Sequence, residues 1–425
     1  MFSTKKLAVS MIAVAAIVTG CSSSATATPV PPPAATPTPV ASAMTGASPS
    51  AAAAGGIGAD SFDAAFTAMA QVKAVNTGTG AVDVILPDVT TSARYTSYDL
   101  PYLTQAFTAA GYSSSDFQIQ NASGTTNTEV AIAQADITAG AKVLLVDPLD
   151  GPTGTQIQTL ASAAGVQVIA YDRAIFQGTN TYYVSFNNEE VGKLIGQGFL
   201  DCVTAWGVQS PKVFTVDGGQ DTDPNAIDFA KGYNSVVWGQ EVAQVAAGAT
   251  NSQGMTLVGE QLAPGWDNAK GGTIFQQALT AHPEINATIE ANDGLAGAVI
   301  ADLKTAGVQP KKVPTVGQDA TLTGMEFILQ GWQCGSVYKP IYLEAQAAVA
   351  LATYLRAGAT PPAALVNGTT TDPADTTITE PAVLLKPYWV TAANMETTVI
   401  KDKFISVTDL CAAVGADVCT SAGIS

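Results

Sequence analysis

Val166-Gln-Val-Ile-Ala-Tyr-Asp-Arg173 carries the pattern that decides the fold, a short apolar run that ends in charged residues. Comparable runs recur at 82–86, 143–146, 183–186, 213–216, 288–289 and 313–316. Between them lie segments with helical spacing, such as 100–110, 129–139, 155–164 and 189–202. Short apolar runs suit strands that are buried on both faces of a parallel sheet. The alternation therefore predicts an α/β fold with right-handed crossovers.

Polar residues stand just beyond these runs. They are Asp88, Asp147, Asp172 with Arg173, Asn187 with Asn188, Asp217, Asn292 with Asp293, and Gln318 with Asp319. In open parallel sheets, ligands bind beyond the carboxyl ends of the strands, so these residues predict a polar site that recognises hydroxyl groups. About half of them, including Asp147 and Asp217, are expected only to cap the helices that follow. Capping explains Arg173 and Lys339 poorly.

Charge and composition exclude several classes of function. The 425 residues contain 18 basic and 35 acidic ones, a formal net charge of −17, and only one histidine. Binding to nucleic acid or to an anionic membrane surface requires clustered Lys and Arg residues, so no nucleic-acid partner is expected. Apolar residues make up 47% of the chain, which is ample for a globular core. The length suggests about two domains.

The N-terminus has the pattern of an export signal. Lys5 and Lys6 precede a 12-residue apolar run that ends in Val18-Thr-Gly-Cys21. This run is too short to span a bilayer but suits a signal peptide over 1–20, and its end resembles a bacterial lipobox. The resemblance implies cleavage before Cys21 and lipid attachment to it. Residues 22–56 carry no charge, and 32 of these 35 are Ala, Pro, Ser, Thr or Gly. We expect 21–56 to be a disordered tether.

Four cysteines remain beyond Cys21, and an even number in an exported protein suggests two disulfides. They allow three connectivities. Cys411 and Cys419 are close in sequence and are expected to pair, which leaves Cys202 with Cys334.

A series of motifs resembles the periplasmic xylose-binding proteins and their sugar-binding relatives. In chain order they are Val168-Ile-Ala-Tyr-Asp-Arg173, Tyr183-Val-Ser-Phe-Asn-Asn-Glu-Glu-Val-Gly192, Gly265-Trp266, Ala291-Asn-Asp-Gly294, Val316-Gly-Gln-Asp-Ala320, Val337-Tyr-Lys-Pro340 and Val399-Ile-Lys-Asp402. Each motif is weak alone, but their collinear succession over residues 80–405 is specific.

The resemblance implies two Rossmann-like lobes, the type I periplasmic binding protein fold, joined by a three-segment hinge. Lobe one would comprise 80–185 and 338–385, and lobe two 186–337 and 386–425. The crossings would fall near Ser185, Tyr338 and Lys386. Cys202 and Cys334 would both lie in lobe two, so that a disulfide between them would not lock the hinge.

The resemblance also implies the ligand-binding residues. Asp172 and Arg173 would bond sugar hydroxyls and the ring oxygen. Arg94 and Tyr95 match an arginine–aromatic pair after the first strand, although this region departs most from the family. The other matches are Asn225 after the first strand of lobe two, Trp266 as the aromatic platform, Asn292 and Asp319 at later strand ends, and Lys339 as a hinge lysine facing the cleft.

These observations predict a monomeric lipoprotein that binds xylose or a related pentose or hexose, glucose next, and delivers it to an ABC permease. No catalytic residue, cofactor or metal is expected. Asp221-Thr-Asp223-Pro-Asn225 imitates the start of a calcium loop, but Ala226 and Gly232 occupy positions that need Gly and Glu. The alternatives are an extracellular sugar sensor, a Rossmann-like sugar enzyme and a sugar-responsive transcription regulator. The last would need an N-terminal DNA-binding helix pair, where an export signal and a tether stand instead.

Overall fold

The structure, a computed structural model, describes residues 56–89, 94–176, 181–219 and 221–424. All described residues belong to one compact unit, 52–425. The predicted signal peptide, Cys21 and the tether up to residue 55 lie outside the described residues. Among the helices of the described part, none is long and apolar enough to cross a membrane.

Thirteen strands form within the described residues. They are β1 (Val82–Leu86), β2 (Phe117–Asn121), β3 (Val143–Val146), β4 (Gln167–Tyr171), β5 (Thr181–Phe186), β6 (Lys212–Asp217), β7 (Thr256–Leu262), β8 (Ala287–Glu290), β9 (Gly317–Gln318), β10 (Ser336–Tyr338), β11 (Gly368–Thr371), β12 (Thr379–Leu385) and β13 (Tyr388–Val390).

Twelve α-helices accompany the strands in the same described ranges. They are α1 (Met69–Val75), α2 (Leu100–Ala109), α3 (Thr126–Ala139), α4 (Gly151–Ala164), α5 (Asn188–Ala205), α6 (Pro224–Trp238), α7 (Asn268–Ala281), α8 (Asp293–Thr305), α9 (Leu322–Gln330), α10 (Ile341–Arg356), α11 (Val407–Val414) and α12 (Ala416–Ser421). Short 3-10 turns occur at Ala59–Ser61 and Pro264–Trp266, and π turns at Tyr95–Asp99 and Glu396–Ile400.

Seven strands form one large sheet in the order β11-β12-β5-β4-β3-β1-β2. All neighbours in it are parallel except β11, which pairs antiparallel with β12 at the edge. The remaining strands form two smaller sheets in the orders β7-β6-β8 and β13-β10-β9. The Thr288 amide donates to the Pro314 carbonyl at 2.9 Å, so that the two small sheets lie side by side.

The chain crosses between the large sheet and the small sheets three times. It leaves after β5, returns after β10 and leaves again after β12. We call the large sheet with its helices the large-sheet lobe, and the two small sheets with theirs the small-sheet lobe. The predicted α/β fold with two lobes and three crossings is confirmed.

The large sheet is covered on both faces because its side chains alternate. Val84, Leu145 and Ile169 belong to a core that includes residues of α1, α2 and α10, whereas Ile85 and Leu144 pack with residues of α3 and α4 on the opposite face. This double burial is the reason that the strands read as continuous apolar runs.

Two parts of the chain differ from the sequence-based expectations. The regular pattern was expected to begin near residue 80, but Phe62, Phe66 and Met69 are already buried in the core. The run 313–316 was predicted to be a strand, and β9 begins only at Gly317. Pro314 has no amide to donate, and the Val316 amide donates to the Glu290 carboxylate at 3.0 Å instead of to a strand.

Two disulfides join Cys202 to Cys334 and Cys411 to Cys419, as predicted. Cys202 lies on α5, and Cys334 directly precedes β10. The first bridge therefore lies within the small-sheet lobe and leaves the crossings unconstrained.

Candidate functional site

A cavity with about 30 Å³ of water-accessible volume lies between the lobes, at the carboxyl ends of several strands, and we call it the buried cavity. Its lining contains all nine residues predicted to bind a ligand, namely Arg94, Tyr95, Asp172, Arg173, Asn225, Trp266, Asn292, Asp319 and Lys339, together with Phe229 and Gln318. Residues up to 245 positions apart in sequence thus meet at one place, as expected where parallel strands end.

Arg94 is the centre of a buried charge network on the large-sheet side. Its guanidinium donates to Asp99 at 2.8 and 2.9 Å, to Asp172 at 2.6 Å and to Glu344 at 2.8 Å. Arg94 directly precedes the π turn Tyr95–Asp99, which brings a residue five positions on into contact. Three carboxylates fix the guanidinium, so its place in the cavity wall is set before any ligand arrives.

Asp172 follows β4 in a left-handed backbone conformation, with φ of 62°. Its carboxylate lies between Arg94 and the Lys339 ammonium, whose nitrogen is 3.7 Å away. Burial opposes ionisation of Asp172, but Arg94, Lys339 and Arg173 outweigh it and lower its pKa to about 2. Asp172 is therefore a carboxylate acceptor at any physiological pH.

Arg173 is oriented from both lobes. It donates to Asp147 at 3.1 Å and to the Tyr95 hydroxyl at 2.9 Å, and its Nε lies 3.9 Å from Asp223 of the small-sheet lobe. The side chain is 12% exposed. Its guanidinium lines the buried cavity and also borders the open space between the lobes next to it. The close ion pair of Arg173 is with Asp147, one residue after β3.

Asp147 and Asp217 were expected to cap the helices that follow, and this expectation was wrong. Asp150 caps α4 and Asp223 caps α6. Asp147 instead holds Arg173, and Asp217 accepts the Tyr233 hydroxyl. A strand-end carboxylate two or more residues before the helix is too early to serve as its cap.

Trp266 forms a fixed aromatic wall on the small-sheet side. Its indole Nε1 donates to Asp223 at 2.8 Å, and its ring packs against the Gly218 backbone. A Cβ at Gly218 would lie 1.9 Å from a ring carbon, so that only glycine permits this position of the ring. Phe229 meets the indole edge-on at 6.2 Å between ring centroids.

Asn225 connects the lobes. Its amide nitrogen donates to the backbone carbonyl of Asp172 at 3.1 Å, and its oxygen accepts from Asn188 at 2.8 Å. The Tyr183 hydroxyl donates to the same Asp172 carbonyl at 2.8 Å. The left-handed turn at Asp172 is therefore held from both sides of the cavity.

Asp319 and Lys339 are less completely engaged. Their charged atoms are 3.6 Å apart, beyond hydrogen-bonding distance, and Asp319 Oδ1 is buried without a partner among the described residues. Lys339 is only 2% exposed. A buried carboxylate oxygen without a partner is costly, and a ligand hydroxyl between the two groups would satisfy both.

The remaining lining residues are Asn292, Gln318 and Phe229. Asn292 caps α8 through its side-chain oxygen, which accepts the Leu295 amide at 2.9 Å. Gln318 Oε1 is another buried oxygen without a partner in the described part of the chain. Phe229 was not predicted, because it lies inside α6 and not at a strand end. It is four residues after Asn225, and this helical spacing places both on one face.

The cavity wall combines an indole, a phenyl ring, amides, carboxylates and two guanidinium groups, and its charges are mostly paired with one another. This combination suits a small, neutral ligand with both hydroxyl groups and C–H faces.

A two-lobed α/β fold with such a cavity between its lobes defines a binding protein that encloses a small polar solute. The chain belongs to the periplasmic binding protein family, because the family model described as "Periplasmic binding protein domain" matches residues 81–360. The chain is 32% identical over 298 residues to the D-xylose-binding periplasmic protein of Escherichia coli (strain K12), covering 69% of this chain and 82% of that protein.

Two further similarities agree with this assignment. The chain is 30% identical over 306 residues to the multiple sugar-binding periplasmic protein SbpA of Azospirillum brasilense, covering 70% of this chain and 82% of that protein. A carbohydrate transporter solute binding protein from Chloroflexus aurantiacus, solved in complex with D-glucose, matches with a TM-score of 0.64 at 24% identity, covering 78% of this chain and 98% of that one. The last similarity concerns the fold alone.

Proposed function

We propose that this protein is the extracytoplasmic monosaccharide-binding component of an ABC-type sugar importer. Its cavity takes xylose or a related pentose or hexose, glucose next, and the protein presents the closed form to a permease. The observation that carries the proposal is the meeting of all nine predicted residues around one buried cavity. The names of the relatives, which bind xylose or multiple sugars, point to the same class of ligand.

The chemistry of the wall supports a monosaccharide. A pyranose has C–H patches on its faces, which Trp266 and Phe229 cover, and hydroxyls on its rim. Asp172, Asp319 and Lys339 supply charged partners for those hydroxyls, and each such hydrogen bond contributes roughly 1.5–3 kcal/mol. A sugar that lacks one hydroxyl leaves a buried charge without a partner, which provides discrimination.

Binding couples to closure because the ligand contacts come from both lobes. Asp172 and Arg173 belong to the large-sheet lobe, whereas Trp266 and Asp319 belong to the small-sheet lobe. A ligand that contacts both lobes at once favours the closed state. The lobe limits given above, 80–185 with 338–385 and 186–337 with 386–425, are part of the proposal, and so is binding without chemical turnover.

Attachment to the membrane is also part of the proposal. Residues 1–20 would be removed, Cys21 would carry lipid, and 21–56 would hold a monomeric body away from the membrane. Mass spectrometry of the N-terminal peptide from the native host tests this directly. An N-terminal peptide that still contains residues 1–20, or that begins at Cys21 without lipid, would contradict it.

Calorimetric titration with xylose, glucose, arabinose, galactose and ribose tests the sugar proposal. At least one is expected to bind with a Kd in the micromolar range or tighter, a binding free energy of about −8 kcal/mol or stronger. Recovery of the unaltered sugar after long incubation is expected, since the proposal involves no turnover. Absence of both heat and thermal stabilisation with all five sugars would refute it.

A further inference from the structure

A second, larger cavity adjoins the proposed sugar site. It has about 330 Å³ of water-accessible volume, against about 30 Å³ for the buried cavity, and is open to solvent; we call it the outer cavity. The two cavities share Arg173 and Trp266 as a common wall. The two cavities therefore adjoin at these two side chains, with Asp223 beside both of them.

Both lobes line the outer cavity. The large-sheet lobe contributes Leu149, Asp150 and Thr126, and the small-sheet lobe contributes Thr222 and Pro224. A ligand seated there would contact both lobes, as the ligand of the buried cavity does.

The chemistry of the wall favours a second sugar ring. Leu149 and Pro224 offer apolar surface beside the indole of Trp266, and two threonine hydroxyls lie among them. Asp150 uses Oδ1 to cap α4 at 2.8 Å from the Thr153 amide, while Oδ2 has no hydrogen-bond partner within the described residues. Three carboxylates line this cavity against one guanidinium, which disfavours an anionic ligand.

Part of the wall of the outer cavity is formed by small residues. A Cβ at Gly151 would meet no atom within 4 Å, so packing does not require glycine there. A small residue where a larger one would fit keeps the space open.

We propose that the outer cavity is a second subsite for a neutral sugar residue, so that the protein binds disaccharides as well as monosaccharides. This inference rests on the proposed function, since the first ring would occupy the buried cavity. The ligand would be a neutral disaccharide with one ring in each cavity and its glycosidic bond between Arg173 and Trp266.

Thr126 offers a way to fill the outer cavity alone. It is exposed at the start of α3, lines the outer cavity and is absent from the wall of the buried one. Thr126→Trp would occupy the second subsite. Thr128 lies two positions further along the same helix, is equally exposed and borders neither cavity. Thr128→Trp is therefore the matched control.

The experiment is calorimetric titration of the unsubstituted protein and both variants with xylose, glucose, xylobiose, cellobiose and maltose. At least one disaccharide is expected to bind the unsubstituted protein. Thr126→Trp is expected to weaken that binding at least tenfold and to leave monosaccharide affinity within twofold, and Thr128→Trp to change neither.

Binding of a monosaccharide but of no disaccharide would overturn this inference and leave the proposed function standing. Disaccharide binding that Thr126→Trp does not weaken, or a loss shared equally with the monosaccharide, would also overturn it. Failure of these five sugars and also of arabinose, galactose and ribose to bind would overturn both proposals.

Discussion

In the large-sheet lobe, Arg94 engages three carboxylates at hydrogen-bonding distance, whereas in the small-sheet lobe Asp319 keeps a buried carboxylate oxygen without a partner. The Arg94 guanidinium, the centre of the first wall, is satisfied within the protein. On the second wall, Asp319 Oδ1 has only its 3.6 Å ion pair with Lys339 and gains a hydrogen bond only when something polar enters. Stability and recognition are thus concentrated on different sides of the same cavity, and variants on the two sides should fail in different ways.

The largest effect is expected on the satisfied wall. Arg94→Met would leave Asp99, Asp172 and Glu344 without their common partner, and breaking such a buried network costs about 3–5 kcal/mol of stability. Urea denaturation would measure the loss, and sugar binding should disappear with it. Lys193→Met is the control, because the Lys193–Glu189 pair is exposed and contributes at most about 1 kcal/mol. Equal losses in both variants would contradict the idea of a pre-formed wall.

The small-sheet lobe depends on a covalent link, which gives the next effect. Replacing Cys202 and Cys334 together by Ser is expected to cost about 2–4 kcal/mol of unfolding free energy, because the bridge closes a loop of 132 residues. Replacing Cys411 and Cys419 should cost less, since they are eight residues apart. Urea melts without reductant would compare the two. Sugar affinity should stay within twofold, and a large change would mean that the bridge also shapes the cavity.

On the ligand-dependent wall, the expected effect is on affinity. Asp319→Ala and Trp266→Ala should each weaken sugar binding at least tenfold, about 1.4 kcal/mol, as measured by calorimetry. Asp319→Ala should cost less stability than Arg94→Met, because it breaks no hydrogen bond of Asp319 Oδ1 and leaves Lys339 paired with Asp172 at 3.7 Å. Asp221→Ala, exposed on the same lobe, is the control and should have no effect. Unchanged affinity in both site variants would show that the cavity is not the binding site.

The last comparison concerns pH and sets one buried carboxyl of each lobe against the other. Burial raises the pKa of Glu129 to about 7 and that of Glu290 to about 8, from an ordinary 4.5. The folded state therefore holds these protons more tightly, and the contribution of the two groups to stability is greatest below about pH 4.5. Each group then lowers stability by up to about 1.4 kcal/mol per pH unit, Glu129 up to about pH 7 and Glu290 up to about pH 8.

Glu129→Gln and Glu290→Gln test this while keeping each side chain's acceptor for a backbone amide, that of Leu149 or of Val316. Each should flatten the decline of stability between pH 5 and pH 8, measured by urea melts, and Glu290→Gln should flatten it over the wider range. Glu284→Gln is the exposed control. A slope that neither buried variant changes would show that other groups govern the pH dependence.

The strands buried on both faces were predictable, and β1 and β3 match their apolar runs residue for residue. The edge strands β2 and β7 were missed, because Phe117-Gln-Ile-Gln-Asn121 is only partly buried and reads as polar. The prediction of a strand at 313–316 was wrong because the Val316 amide donates to the Glu290 side chain and not to the backbone of a neighbouring strand. An apolar run indicates that a segment is buried, but it does not indicate which group accepts the hydrogen bonds of its backbone amides.

The lining of the candidate site was predicted largely because strand ends and family motifs mark it. Phe229 and the supporting residues Asp99 and Glu344 were not found. They lie on helical or π-turn segments and reach the site through spacing of four or five residues from Asn225, Arg94 and Lys339. Such contacts depend on how helices are oriented against the sheet, which a strand-based reading of the sequence does not contain.

The bond from Asn225 to the Asp172 carbonyl has a kinetic consequence. It joins the two lobes across the cavity and needs no ligand to form. Any opening that moves Asn225 away from Asp172 must break it, at a cost of about 0.5–1.5 kcal/mol. The same bond opposes escape, so that it slows both the release of a captured solute and the entry of the next one.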